Sequence, residues 1–290
     1  MPSTPDSLRF GPAGVPRSSH RASTEEGILR VAELGLGAME VEFVRGVRMS
    51  AEAAGRVRDA ASSSGILLTV HAPYYVNLLS DDEAKVRASV DRILESARVG
   101  AAAGAWSVAF HPGYYGKLDS ATAVARVREL LSEVTRRLRD EGIDVWVRPE
   151  TMGGLAEVGS VDEVLDIVEG VDGSLPCLDF AHIYARSLGS VNSRDAVREL
   201  LARIESRLGR EAFVNFHAHI SGMEYGPRGE RRHLPLEESE FRWRDALSAL
   251  REFNPRGAII CESPLLEDDA LLMKKYYEGL GRRRARGARV

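Results

Sequence analysis

Short β-rich runs alternate with longer helical patterns along the whole chain, and this alternation limits the possible folds more than any other feature. Eight such pairs in 290 residues are typical of one closed parallel barrel with its helices outside. The predicted strands span residues 8–10, 39–44, 66–71, 106–111, 143–148, 175–179, 212–219 and 258–262. We therefore predict an α/β fold, a single (β/α)8 TIM barrel.

Helix signals separate these strands. Ser160 precedes Val161-Asp162-Glu163 in a capping pattern, and Gly35, Gly65 and Gly142 stand where helical patterns end. A doubly wound open sheet is the alternative, but no G-x-G-x-x-G turn follows the first strand. Because no linker divides the chain, we predict one domain over residues 1–281 and a disordered basic tail over residues 282–290.

Composition excludes several classes of function. No apolar run is long enough to cross a membrane, and residues 1–21 lack the apolar core of a signal peptide, so we expect a cytoplasmic protein with no membrane partner. The net charge of −4 argues against nucleic-acid binding through the whole surface and leaves room for a local basic groove. Cys177 and Cys261 lie in apolar runs, which predicts buried free thiols.

Polar residues collect where the predicted strands end. Strands three to eight each deliver a His or a carboxylate at the carboxyl end, the face on which barrels build their active sites. Imidazole and carboxylate groups suit zinc, with manganese or iron also possible. The candidate metal ligands are His71, His111, Glu150, Asp179, His182, His217, His219, His233 and Glu262.

The spacing of these residues fits more than one metal ion. Asp179 and His182 are three residues apart, so one segment of chain can reach two ions. Glu150 and Glu262 follow strands five and eight and can approach each other across the barrel mouth, which makes them the candidate catalytic carboxylates. Two ions about 3.5–4 Å apart can activate water and stabilise the attacking and leaving oxygens of a phosphate displacement.

The segments at these strand ends resemble the signature segments of the endonuclease IV family. They are His71-Ala72-Pro73-Tyr74, Phe110-His111-Pro112-Gly113, Pro149-Glu150-Thr151-Met152-Gly153, Asp179-Phe180-Ala181-His182 and Cys261-Glu262-Ser263-Pro264. The resemblance runs from strand two to strand eight, and Ser221-Gly222-Met223-Glu224-Tyr225 is similar to the archaeal-type branch. It implies hydrolysis of the phosphodiester on the 5′ side of abasic sites in double-stranded DNA.

The resemblance also implies two to three zinc ions per chain and a role for each ligand. His71 and His111 would hold the first ion, Glu150 would bridge the first and second, Asp179, Glu262 and one His of strand seven would complete the second, and His182 and His233 would hold the third. Since every candidate ligand comes from one chain, we expect a monomer.

The sequence departs from the family pattern at two places. Strand seven offers both His217 and His219, and the following Ile220-Ser221-Gly222 favours His219 as the ligand, with His217 beside it. The family usually has Asp two residues before the last zinc-binding His, where this chain has Arg231. Either Glu230 substitutes through a shifted backbone, or the third site is weak or empty and Arg231 or Arg232 neutralises phosphate.

Other residues near the predicted mouth allow two interpretations each. Tyr74, Tyr75, Tyr114 and Tyr115 either stack on an extruded sugar or base or pack their own loops. Glu42 either hydrogen-bonds a ligand His or pairs with Arg148, the interpretation we favour. Arg45 and Arg48 follow strand two and either reach DNA or remain solvated.

Two rival functions remain open. A sugar isomerase or epimerase of the xylose isomerase-like barrel superfamily would use the same fold and a similar cluster, but it has no need of His182 and His233 for a third metal ion. A DNA-binding relative without enzymatic activity is the other, kept open by Arg231. The candidate ligands favour the nuclease.

Overall fold

The protein is described here by a computed structural model that covers the backbone of residues 1–287 and the side chains of residues 1–281. The predicted basic tail at residues 282–290 lies outside the described side chains. The strands in chain order are β1 (Leu8–Pro12), β2 (Ala38–Glu42), β3 (Leu67–His71), β4 (Ser107–Phe110), β5 (Trp146–Pro149), β6 (Cys177–Asp179), β7 (Phe216–Ile220), β8 (Gly222–Gly226), β9 (Gly229–Leu234) and β10 (Gly257–Cys261).

Eight of these strands close into a parallel barrel. They form two four-stranded sheets, with the orders β2-β3-β4-β5 and β6-β7-β10-β1. Ala13 pairs with Glu40 where β1 meets β2, and Glu150 pairs with Cys177 where β5 meets β6, both in the parallel sense. The predicted (β/α)8 barrel is therefore confirmed, and the carboxyl ends of its strands meet at one mouth.

The helices cover the outside of the barrel. In chain order they are α1 (Thr24–Glu33), α2 (Ala51–Ser64), α3 (Glu83–Ala102), α4 (Ser120–Asp140), α5 (Val161–Val168), α6 (Phe180–Arg186), α7 (Arg194–Leu208), α8 (Glu211–Val214), α9 (Trp243–Leu250) and α10 (Glu267–Gly287). Ser160 and Glu163 form the expected capping box of α5, and Gly65 ends α2 at a φ of 67°. No helix in residues 1–287 is long and apolar enough to cross a membrane.

The structure differs from the prediction around strands six and seven. The predicted strand at 212–219 begins too early, because the buried apolar residues Ala212 and Phe213 belong to the short helix α8. His182, predicted in a loop, lies in the first turn of α6. The carboxylate of Asp179 accepts the backbone N–H of His182 at 2.6 Å, and this cap starts a helix directly at the end of β6.

An antiparallel hairpin follows β7 and stands over the mouth. Its strands β8 and β9 pair from Gly222 opposite Leu234 to Gly226 opposite Gly229. The segment after β5 packs against it, since Gly154 bridges to Gly229. The hairpin therefore carries the residues between Gly222 and Leu234 to the mouth, where the barrel strands themselves do not reach.

Candidate metal centre

Glu150, directly after β5, lies at the centre of the mouth with its carboxylate fully buried. One carboxylate oxygen, Oε2, lies 3.0 Å from Nε2 of His71 and 3.2 Å from Nε2 of His111. The other, Oε1, lies 3.0 Å from Nδ1 of His219 and 3.3 Å from Nδ1 of His182. The two oxygens thus face two different groups of imidazoles, which is the arrangement that a carboxylate bridging two cations requires.

Two sets of ligand atoms converge around this carboxylate. His71, His111 and Glu150 form one set, and Glu150, Asp179, His219 and Glu262 form the other, each with its ligand atoms within 4.8 Å of one another. Nδ1 of His219 lies 3.3 Å from Oε1 of Glu262, so β7 and β10 contribute to the same set. We call these residues the inner tier: His71, His111, Glu150, Asp179, His219 and Glu262.

A third set lies nearer to solvent. Nε2 of His182 lies 3.2 Å from Oε2 of Glu230 and 3.4 Å from Nε2 of His233. Tetrahedral zinc with bonds of about 2.0–2.1 Å separates its ligand atoms by about 3.3 Å. His182 is thus about as far from Glu230 and from His233 as two ligands of one such ion are from each other, and we call these three residues the outer tier.

A β-bulge explains why Glu230, and not Arg231, faces the outer tier. In the hairpin Glu224 is opposite Arg232 and Tyr225 is opposite Glu230, so Arg231 is the extra residue. A bulge resets the alternation of side chains, and Glu230 and His233 then share a face although they are three residues apart. Arg231 and Arg232 instead pair with Glu224. The shifted backbone that the sequence allowed is present, and it places the carboxylate of Glu230, rather than the side chain of Arg231, beside His182.

The segment after β5 holds Glu230 in place. The backbone N–H of Gly153 donates to Oε2 of Glu230 at 3.0 Å, and the N–H of Glu230 donates to the carbonyl of Gly153 at 3.2 Å. A Cβ added at Gly153 would lie 2.3 Å from Oε2 of Glu230. Only glycine at this position allows the hairpin carboxylate to approach so closely.

Three of the imidazoles are oriented by backbone carbonyls through Nδ1. His71 contacts the carbonyl of Ala72 at 2.7 Å, His182 that of Thr151 at 2.9 Å and His233 that of Glu262 at 3.1 Å. An N–H that donates to a carbonyl leaves the opposite nitrogen with its lone pair free for a metal. In each case the free Nε2 points toward the other candidate ligands, so the donor set fits divalent cations.

Burial and charge shift the pKa values of these groups in opposite directions. Burial alone would raise the pKa of Glu150, but the charge of His219 and hydrogen bonds from His111 and His182 hold it well below its usual range. Burial raises the pKa of Asp179 to about 7, and its Oδ2 has no hydrogen-bond partner among the described residues. A buried carboxylate oxygen without a partner is a further sign that the site is built for a cation.

The similarity of this chain to known proteins agrees with these observations. A sequence model of the xylose isomerase-like TIM barrel family matches residues 28–276. The chain belongs to this family. A protein of Methanocaldococcus jannaschii described as uncharacterized is 42% identical over 94% of this chain and 98% of its own length. A protein of Thermoplasma volcanium named "Probable endonuclease 4" is 26% identical over 64% of this chain and 64%, less than two thirds, of its own length.

Solved structures that share this fold are named for different activities. Endonuclease IV from Thermus thermophilus has a TM-score of 0.70 at 18% identity, covering 95% of this chain and 99% of that one. A D-tagatose 3-epimerase-like protein has a TM-score of 0.73 at 20% identity, also covering 95% and 99%. Structural similarity at these low sequence identities shows only that the barrel fold is shared. The activity of this chain must therefore be inferred from its own side chains.

Two predicted neighbours of the cluster have other partners. Arg148 does not pair with Glu42; it donates to Ser107, Asn215 and the carbonyl of Pro176 deep in the barrel. Glu42 lies opposite His71 in the pairing of β2 with β3, and burial raises its pKa to about 8. The prediction of a Glu42–Arg148 pair is therefore wrong, because the guanidinium reaches toward the amino-terminal side of β5.

One carboxylate of the centre was absent from the sequence-based candidates. Glu40, on β2, lies fully buried with Oε1 3.0 Å from Nε2 of His219 and Oε2 3.2 Å from Nε2 of His217. The signal was present in the sequence: Glu40 and Glu42 alternate with apolar residues within one strand, so both face the barrel interior. His217 contacts Glu40 and Ser107, and burial lowers the pKa of His217 to about 4.

The four tyrosines near the mouth divide into two groups. Tyr74, Tyr75 and Tyr114 have 56%, 44% and 54% of their surface exposed. Tyr115 instead donates its hydroxyl to Glu163 at 2.6 Å and packs its own loop. Three exposed rings therefore stand at the rim beside the metal centre, and Tyr115 has the structural role.

Proposed function

We propose that this protein is a metal-dependent phosphodiesterase that incises double-stranded DNA on the 5′ side of abasic sites. The observation that carries the proposal is the outer tier, His182, Glu230 and His233, standing beside an inner tier that already offers two sets of ligands. The relatives named "Probable endonuclease 4" support the same reaction class. Imidazole and carboxylate donors favour zinc as the cation.

The inner tier would hold two ions and the outer tier a third. Bound cations would neutralise the phosphate, activate water and stabilise the leaving oxygen. Glu150 faces each half of the inner tier with one carboxylate oxygen, and Glu262, directly after β10, lies beside His219 in the second half. The protein's part is to fix these donors before substrate arrives, because preorganised charges need no rearrangement during the reaction.

The rim of the mouth carries aromatic and basic side chains, which are groups that can bind a distorted DNA strand. The exposed rings of Tyr74, Tyr75 and Tyr114 can stack on an unpaired sugar or base. Arg45 and Arg48 follow β2 with exposed side chains and can approach phosphates. We propose that these residues supply a local basic and aromatic contact surface on a chain whose net charge is −4, and that one monomer suffices.

Sugar epimerisation is the second candidate, and a specific observation favours it. Glu150, Asp179, His219 and Glu262 would by themselves serve a one-metal enzyme whose ligands are three carboxylates and one imidazole, and a D-tagatose 3-epimerase-like protein shares the fold. Such an enzyme gives no role to the outer tier. The two proposals therefore differ in whether His182, Glu230 and His233 matter for the reaction.

One incision assay tests the proposal. Zinc-loaded protein is incubated with a duplex oligonucleotide that contains one tetrahydrofuran abasic analogue, with an undamaged duplex of the same sequence as control. We expect cleavage on the 5′ side of the lesion that leaves a 3′-hydroxyl. Incision no greater than that of the Glu262→Gln variant would refute it. Conversion of a ketohexose panel by the same preparation, measured by chromatography, would support the epimerase instead.

A further inference from the structure

Glu40 lies directly behind the inner tier, on the side away from the mouth. His217 and His219 are the only basic side chains within 4 Å of its carboxylate among the described residues. Both of its oxygens are buried, and no other donor of the described residues reaches them; the two imidazole nitrogens approach to 3.2 and 3.0 Å without the alignment of a regular hydrogen bond. A fully buried carboxylate needs compensation, which in this place comes only from the two imidazole N–H groups.

A chain of contacts from Arg148 sets the direction of these hydrogen bonds. Nε of Arg148 donates to Oγ of Ser107 at 2.7 Å, and that Oγ lies 3.0 Å from Nδ1 of His217. A guanidinium can only donate, so the hydroxyl proton of Ser107 is left for Nδ1 of His217. A neutral His217 then carries its proton on Nε2, which faces Glu40.

The surroundings of Arg148 hold it in the position that sets the direction of these hydrogen bonds. Its guanidinium lies between Trp106 and Trp146, 4.8 and 5.5 Å from the ring centroids. Its Nη2 donates to Asn215 and its Nη1 to the carbonyl of Pro176. The cation is fully buried, and Ser107 and His217 connect it to Glu40.

We propose that Glu40 is a positioning residue: it accepts the Nε2 protons of His217 and His219, and so leaves Nδ1 of His219 as the metal ligand. Nδ1 is the atom that faces Glu150 and Glu262, at 3.0 and 3.3 Å. A carboxylate behind a ligand imidazole fixes its tautomer and strengthens it as a donor. The inference rests on the proposed metal centre and is independent of which substrate that centre acts on.

Glu42 does not fill this role, although it is two residues away on the same strand. Its place in the pairing of β2 with β3 is opposite His71, whose Nδ1 is already oriented by the carbonyl of Ala72. Cys177 is the other candidate, because its Sγ lies 3.5 Å from Nε2 of His219. Cys177, His217 and His219 also form a convergent set, and if a metal were held there by the thiolate and both imidazoles, Nε2 of His219 would carry no proton.

The first test uses the unmodified, zinc-loaded protein. Nitrogen-15 NMR of the histidine rings should show both His217 and His219 protonated at Nε2, with the Nδ1 shift of His219 changed by zinc. His217 protonated at Nδ1, or His219 unprotonated at Nε2, would overturn the proposal. In cobalt-substituted protein a sulfur-to-metal charge-transfer band would overturn it as well, because it would show Cys177 as a ligand.

The second test measures zinc affinity by competition with a chelator. Glu40→Gln should weaken the ion bound by His219 by about 10- to 100-fold, the usual effect of losing such a carboxylate. The matched control is Glu267→Gln, which removes another buried carboxylate, one that accepts the backbone N–H groups of Arg17 and Ser18, and it should leave zinc affinity unchanged. Equal loss in both variants, or no loss in Glu40→Gln, contradicts the positioning role.

These readouts separate the inference from the proposed reaction. If the duplex is not incised but Glu40→Gln still weakens zinc and the tautomers are as expected, the nuclease proposal fails and the positioning role stands. If incision occurs and Glu40→Gln binds zinc like the unmodified protein, the nuclease proposal stands and the positioning role fails.

Discussion

The inner and outer tiers are built from different parts of the barrel, and the difference bears on function. The inner tier stands on the ends of β3, β4, β5, β6, β7 and β10, and its central residue Glu150 is fully buried. The outer tier combines one residue of α6 with two of the β8–β9 hairpin, and the Glu230 and His233 side chains are 29% and 28% exposed. The register of the barrel sets the first tier, whereas elements added to the barrel set the second.

This contrast indicates where activity can diverge within the family. A barrel that keeps only the inner tier retains ligands for one or two ions, which suits several chemistries. In our proposal the hairpin and α6 add a position for one more ion at the edge where a bulky substrate would approach. The outer tier is therefore the part of the centre that distinguishes a proposed phosphodiesterase from a proposed epimerase.

The largest effect is expected from Glu150→Gln, which tests whether one carboxylate serves both halves of the inner tier. We expect incision to fall by about 10³-fold or more, since losing even one stabilising group in an active site costs 10²- to 10³-fold. The zinc content should fall by more than one ion. Incision within tenfold of the unmodified protein would show that Glu150 is not shared.

Glu230→Gln tests the outer tier by itself. It should weaken the outer ion by about 100-fold, roughly 3 kcal/mol for a lost charged contact, and leave the inner tier filled. Titration calorimetry with zinc would resolve the two classes of site. Arg231→Ala is the matched control and should bind zinc normally, because Arg231 faces Glu224. If only Arg231→Ala bound zinc more weakly, Arg231 rather than Glu230 would be the residue that supports the outer ion.

Glu163→Gln tests the scaffold under the outer tier. Glu163 accepts hydrogen bonds from Tyr115 and Ser120 and lies 3.5 Å from Arg186, which also binds three carbonyls of the segment after β5. Burial alone would raise the pKa of Glu163, but these hydrogen bonds lower it to about 2 from 4.5. A lowered carboxylate pKa adds stability above the unfolded value, and that stability is lost as pH falls from 4.5 toward 2.

The variant should therefore be less stable than the unmodified protein by roughly 2–3 kcal/mol at neutral pH, and by less at pH 3. Urea denaturation at the two pH values measures the gap. A gap of equal size at both would mean that the charge of Glu163 contributes nothing.

The smallest effect is expected from deleting Arg231. Without the extra residue, Glu230 and the last His would stand two apart in a regular strand and still share a face. The shortened chain should keep its outer ion, as counted by metal analysis. Loss of that ion would show that the bulge itself, and not only the shared face, positions Glu230.

The fold and the inner tier could be predicted because both follow from short-range patterns. Strand–helix alternation determines a barrel, and a His or carboxylate at a strand end must then face the mouth, as His71 and Asp179 do. The outer tier could be predicted only in part. The sequence shows that His233 follows two arginines, but a bulge depends on how β8 pairs with β9, which spacing alone does not show.

Two other features were not predicted from the sequence, for different reasons. The position of His182 in a helix depends on the side chain of Asp179 capping its backbone N–H. The partner of Glu40 depends on which strands meet across the barrel interior, since Glu40 and His217 are far apart in the chain and on strands that are not neighbours. The contact of Glu40 is a consequence of barrel closure, which no local pattern encodes, whereas the Asp179 cap is a local signal that the sequence contained.

The number of zinc ions bound per chain tests the central claim most directly. Native mass spectrometry of zinc-loaded protein should show three ions in the unmodified chain and two in Glu230→Gln, with Arg231→Ala matching the unmodified protein. One ion per chain, or a count that Glu230→Gln leaves unchanged, would contradict a centre built from an inner and an outer tier.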